Sequence, residues 1–245
     1  MRELPIANCR LLIVAAYICA SIAVAQESPT PTSTLEESAA ASPTLTPPAS
    51  PSASAVTARN VPLRFVPPPM EGTISLGIWD SNDKLVRVLH REAKIDNFTV
   101  EENSLSTTWD GKNDAGEDLP VGRYRARGFL VGKMKVEDLG SPQAAPAGTS
   151  DRIAVQLVTN PLISDTRAIM EIGAGFDDKG SFLKTMDGLP LATISPTSHL
   201  SRVSIRKDGE KSADVWQVDD SQTQGFRVSS VDKIMAFDCG FFELK

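Results

Sequence analysis

The sequence predicts an all-β protein, an antiparallel sandwich followed by a second small β-rich unit. Three observations point there. Apolar residues alternate over short runs, with Asp, Asn, Gly and Ser gathered between them. No convincing helical period separates those runs. Hydrophobic residues make up 41% of the 245-residue chain and charged residues 23%, the proportions of a polypeptide with a folded core.

The first element is an address. Arg2 and Arg10 supply positive charge ahead of an uncharged apolar stretch, Leu11–Val24, and Ala23-Val24-Ala25 forms a small-x-small cleavage site, so residues 1–25 read as a secretory signal peptide. A retained anchor is the competing reading, but the stretch falls short of the ~20 apolar residues a spanning helix needs. A lipid anchor on Cys19 would follow Ile18, bulkier than such signals prefer. Cleavage removes Cys9 and Cys19 and leaves Cys239 alone, so the mature chain has no internal disulfide. Residues 26–60 follow as a linker, with Ser, Thr, Pro and Ala at 26 of 35 positions. Such a composition buries too little apolar surface to order itself.

Four strands are expected in segment 61–138. In Thr73–Trp79, Ile74, Leu76 and Ile78 share one face; Asp80–Asp83 turns the chain into Leu85–Leu89. Leu105–Trp109 and Arg123–Val131 complete the set, at a spacing that suits a sandwich. Between the last two, Trp109-Asp110-Gly111 through Gly116, Leu119-Pro120, Gly122 and Tyr124 resembles the WDG-x(4)-G-x(2)-LP-x-G-x-Y pattern of FlgD-type immunoglobulin-like domains. Ile78-Trp79-Asp80 and Leu85–Leu89 are similar to that family's upstream hairpin. The resemblance implies an immunoglobulin-like sandwich used for interaction, with Trp109 capping its core and Tyr124 in a corner role. It does not extend to the hook assembly of the flagellar protein, whose N-terminal region has no counterpart here.

A second punctuation at 139–150 sets off segment 151–245. Ile153–Val158, Ile169–Phe176, Ser181–Thr185 and Leu189–Ile194 alternate with turns at Asp177–Gly180 and Met186–Gly188. Val203–Arg206, Asp214–Val218 and Lys233–Phe237 continue the rhythm. The meander is weakly similar to β-propeller blades, but two blades cannot close a propeller, so a small sandwich or barrel is preferred to a fragment of a larger ancestral array.

Chemistry is sparse. With 25 Lys+Arg against 31 Asp+Glu, the chain lacks the basic surface of a nucleic-acid binder. His90 and His199 stand apart, and no nucleophile elbow or phosphate-binding loop is present. Cys239 lies in an apolar run and reads as a small buried residue. Asp110, Asp114, Glu117 and Asp118 could approach a calcium ion, yet their spacing fits turn formation better; Asp177-Asp178 and Asp219-Asp220 also sit at turns. No catalytic, cofactor-binding or metal-binding residue is therefore assigned, and no cofactor. The expectation is a non-catalytic exported protein, periplasmic, cell-surface or extracellular, that contacts a protein or a cell-surface glycan or serves as a structural spacer, and that has no membrane span once the signal is removed. The alternative is a carbohydrate-binding accessory of a propeller-bearing enzyme or lectin, for which Trp216, Phe226, Phe241 and Phe242 are the candidate stacking residues.

Overall fold

The computed structural model describes residues 59–142, 144–162, 168–220 and 222–245. The expected signal peptide at 1–25 and all of the expected linker except Arg59 and Asn60 lie outside them. Among the described residues the chain is β-strand with a single short 3-10 turn at Ile95–Asn97.

Fifteen strands form four antiparallel sheets. β1 (Val61–Phe65), β5 (Ser104–Trp109) and β4 (Thr99–Glu101) make an outer sheet in the order β1-β5-β4. The central sheet runs β15-β6-β2-β3, from β15 (Ile234–Leu244), β6 (Gly122–Val131), β2 (Thr73–Trp79) and β3 (Leu85–Ala93). Two further sheets hold β11-β10-β9-β8, from β11 (Pro190–Ser195), β10 (Gly180–Thr185), β9 (Ile169–Asp177) and β8 (Arg152–Gln156), and β12-β13-β14-β7, from β12 (Arg202–Lys207), β13 (Ser212–Val218), β14 (Thr223–Ser229) and β7 (Lys135–Gly140).

The strands expected in both segments are present, and four more, β1, β4, β7 and β14, join them. The two segments exchange strands across the expected punctuation at 139–150. β7 leaves the first segment to pair with β14, with Val136 opposite Val228. β15 comes back from the second to pair with β6 along its whole length, from Ile234 opposite Val131 to Leu244 opposite Gly122. Pairings between residues 85 to 122 positions apart leave no local periodicity, which is why the sequence pattern divides the chain where the ladders do not.

The central sheet has apolar cover on both faces. Ile74, Leu76, Ile78, Ala126, Leu130 and Phe237 point into one core, which they share with Leu63, Phe65, Leu105 and Trp109 of the outer sheet. Trp79, Phe129, Val131, Ile234 and Ala236 point the other way, into a core filled by both remaining sheets through Val155, Ile172, Leu183, Ile205, Val215 and Val228. The alternation in β2 therefore does not mark a wet face. Ser75 is wholly buried, and Gly77 beside it leaves room for the side chains of Trp79 and Leu85. Gly128 does the same for Phe237, because a Cβ there would lie 2.3 Å from the Phe237 ring. That ring has nowhere to move, since it stacks on Phe65 with centroids 4.5 Å apart.

The loop from Trp109 to Tyr124 is self-supporting. Trp109 is fully buried and donates its indole N–H to the Lys112 carbonyl at 2.9 Å. Gly111 takes φ +76°, a conformation open to glycine. Leu119 returns to the Gly111 carbonyl at 2.9 Å, and the Tyr124 hydroxyl donates to the Pro120 carbonyl at 2.9 Å. Trp109 and Tyr124 then meet edge to face with centroids 5.3 Å apart.

Because β6 and β15 contribute to both cores, the two cores are expected to unfold together. Trp79 lies in one and Trp109 in the other. Urea titrations of the double variant Trp79→Phe/Trp216→Phe, which keeps Trp109, and of Trp109→Phe, which keeps Trp79 and Trp216, each read by the remaining tryptophan fluorescence, should each show one transition that coincides with circular dichroism. Separate transitions would show that the two halves are independent folding units.

Candidate binding surface

β6 reads Arg123-Tyr124-Arg125-Ala126-Arg127. Strand alternation sends Tyr124 and Ala126 into the core and lines the three arginines along the opposite face. Sandwich packing covers the far end of that face, at Phe129 and Val131, and leaves the arginine end open. Each guanidinium lies on an aromatic ring. Arg127 stacks on Trp79 at 4.3 Å from its centroid, while Arg123 and Arg125 lie 4.1 and 4.9 Å from the centroid of Phe241. Phe241 is 57% exposed despite being held by two arginines. Arginine rests its long stem on apolar surface and keeps its head wet, which is what a half-covered sheet face requires.

Carboxylates fix the arginines in place. Asp238 accepts both Nε and a terminal nitrogen of Arg125. Arg127 lies 3.5 Å from Asp83 and 3.9 Å from Asp187. Asp187 also accepts the Trp79 indole N–H at 2.5 Å and the Thr185 hydroxyl. Trp79, Arg127 and Asp187 thus join the central sheet to the β10–β11 turn, and beside them a cleft of about 340 Å3 opens between Phe129, Met170 and Met186. Arg91 strengthens the same junction from β3, donating to Asp177 at 2.5 Å and lying 4.4 Å from the Phe182 ring. Burial opposes ionisation of Asp177, but the Lys179 N–H and Arg91 outweigh it and hold that carboxyl below its ordinary range.

The residues singled out by sequence pattern are dispersed. Of the four aromatics considered for stacking, Phe241 alone is exposed. Trp216 is 4% exposed with Arg206 over its ring, and Phe226 and Phe242 pack against the two cores. The four acids of the 110–118 loop serve separate partners. Asp110 accepts the Lys112 N–H and Asp114 the Val88 N–H, Glu117 takes the Asn113 amide, and Asp118 pairs with Lys112. Among the described residues no group of three His, Cys, Asp or Glu is placed to hold a metal ion. Asp177 caps the Lys179 N–H, Asp219 caps that of Gln222, and His199 sits exposed in a left-handed turn. Burial, with Asp238 beside it, pushes the Cys239 thiol up to about 12, so it stays protonated at neutral pH. Among the described residues no helix is long and apolar enough to cross a membrane.

The arginine row was within reach of the sequence, since Arg-x-Arg-x-Arg in a strand puts every charge on one side. Its aromatic and acidic partners were not, because Trp79 and Asp187 meet across 108 positions and Arg125 and Asp238 across 113. No protein-family model, no curated protein and no solved structure matches the chain.

His90 bears on stability. Its Nε2 lies 2.9 Å from the Thr107 hydroxyl, its ring packs on Phe98, and burial lowers its pKa from 6.5. The unfolded chain therefore takes up the proton first as pH falls. The stability that this neutral histidine contributes is full above 6.5 and is lost as pH drops from there toward the folded value. Melting temperature should fall between about pH 7.5 and about pH 5.5 in the wild type, and less steeply in His90→Gln. Equal slopes would remove His90 as the cause.

Proposed function

We propose that this chain is a non-catalytic exported module, with a FlgD-type immunoglobulin-like sandwich, that recognises another protein in the envelope or outside the cell through the arginine–aromatic face of β6 and β15. One observation carries the reading: Phe241 stands exposed and is clamped between the guanidiniums of Arg123 and Arg125. Aromatic and arginine side chains dominate the energetics of protein interfaces, and a pair already held in place loses little rotamer freedom on contact. The family likeness is supported by the way Trp109, Gly111, Leu119 and Tyr124 work as a unit. Export is supported by the cleavage pattern of residues 1–25.

A carbohydrate reading would need a free aromatic face for the sugar to stack on. Trp216, the ring best placed for it by sequence, lies under Arg206. The protein reading is the one that Phe241 favours.

Site-specific photo-crosslinking tests it. A benzoylphenylalanine at position 241 of the full chain, expressed in its own host, should form a discrete protein adduct. The same probe at Phe176, which is 42% exposed on β9, should not. Loss of the adduct in Arg123→Ala would tie it to the clamp. No adduct at position 241, or equal adducts at both sites, would end this reading.

A further inference from the structure

β15 is an edge strand of the central sheet, and its two halves are treated differently. Along the first half the outward backbone groups are occupied. The Val158 N–H donates to the Ile234 carbonyl at 2.9 Å, and the Asn160 side-chain amide donates to the Ala236 carbonyl at 2.9 Å. The strand then bulges between Asp238 and Gly240. Beyond the bulge, no backbone group of Phe241–Leu244 finds a partner on the outer side among the described residues. Half of the N–H and C=O groups of an edge strand point away from its neighbour, so this stretch is an open ladder.

Its surroundings are shaped for something. A cavity of about 670 Å3 opens between the start of β1 and the end of β15, lined by Arg59, Asn60, Val61, Glu243 and Lys245 among others. Phe241 shares a face of the strand with Glu243, and Arg123, directly opposite Glu243 in the ladder, reaches over the Phe241 ring from β6. Arg59, whose guanidinium also donates to the Leu119 carbonyl at 2.5 Å, and Lys245 line the cavity with Glu243, and Arg123 stands opposite Glu243 in the ladder: three cations to one side-chain carboxylate, in a chain whose formal net charge is −6. Arg123 forms no ion pair with a carboxylate among the described residues, so its planar donor fork is available to an incoming acid.

We infer that an extended acidic segment of another protein adds to β15 along Phe241–Leu244, as a fifth strand of the central sheet. This rests on the interaction reading above and specifies how the contact is made. Main-chain hydrogen bonds to the open ladder supply affinity, and alternate side chains supply selection. On one face an aliphatic residue packs against Phe241 while a neighbouring acid takes the Arg123 fork. At the end of the strand a second acid enters the cavity between Arg59 and Lys245. The local charge excludes basic segments and favours acidic ones.

Panning a displayed library of random peptides, each about ten residues long, on the immobilised full chain tests the inference. Enriched sequences should mix Asp or Glu with aliphatic residues. A synthetic copy of one should slow hydrogen exchange at the Phe241–Leu244 amides and bind about tenfold or more weakly to Arg123→Glu. Charge-reversed Arg152→Glu, on β8, should bind it as the wild type does. Enrichment without acids, protection elsewhere, or no enrichment would overturn the inference. So would a dimer by light scattering whose Phe241–Leu244 amides are protected without peptide, since a second copy would then hold the edge. A specific adduct at position 241 with unprotected Phe241–Leu244 amides would reject strand addition and leave protein recognition standing. Absence of any adduct would reject both.

Discussion

The ladder between β6 and β15 is the constraint on which the rest of the molecule depends. It joins residues near position 125 to residues near position 240, and both apolar cores are built on its two faces. Closing a loop of more than a hundred residues costs chain entropy that grows only slowly with length. Once that cost is met, each alternate residue of β15 serves a different core: Phe237 and Leu244 face the outer sheet, and Ile234 and Ala236 face the other two. Neither core is complete without this strand. The return of the chain to its own beginning is therefore part of the packing, and the reverse passage of β7 to β14 completes the exchange.

That dependence explains what the sequence could and could not disclose. Strand positions in β2, β5, β6, β9 and β10 were legible because alternation and turn chemistry are local. The Trp109–Tyr124 loop was legible for the same reason, since its bonds close within a few residues. The second buried face of the central sheet was not. Ser75 and Gly77 look like the wet side of β2, but being small they are what lets Trp79 and a neighbouring sheet approach. β7 was hidden for the opposite reason. All six of its residues are exposed, and Lys135, Glu137 and Asp138 break any apolar rhythm. The candidate surface shows the same division, with the arginine row readable along one strand and its partners supplied from distant ones.

The arginine row also answers a structural problem. A face dry at one end and wet at the other needs side chains that change character along their length. Phe129 and Val131 serve the dry end, and Arg123, Arg125 and Arg127 serve the wet end with apolar stems and charged tips. Stacking on Trp79 and Phe241 keeps the stems down, and Asp187 and Asp238 keep the heads in register. The surface that results is rigid because it finishes the fold. The binding proposed for it would use the same arrangement that shields the end of a core.

Edges complete the argument. An open strand edge invites unwanted pairing, and most edges here carry a deterrent. β4 is three residues long, β1 carries Pro62, β11 begins at Pro190, and β7 is studded with charge. β12 is bonded through Ile205 to Ser150, just ahead of β8. β3 is broken by register shifts and by Glu92 at φ +47°. β15 is closed over Ile234–Ala236 by the 158–160 segment, then bulges. Only after that bulge does it run on with two phenylalanines, one carboxylate and no proline. In a molecule that guards most of its other edges, this unguarded one beside Phe241 and the Arg59–Lys245 cavity is the edge that the proposed strand addition would use, and the charge around it would filter indiscriminate pairing.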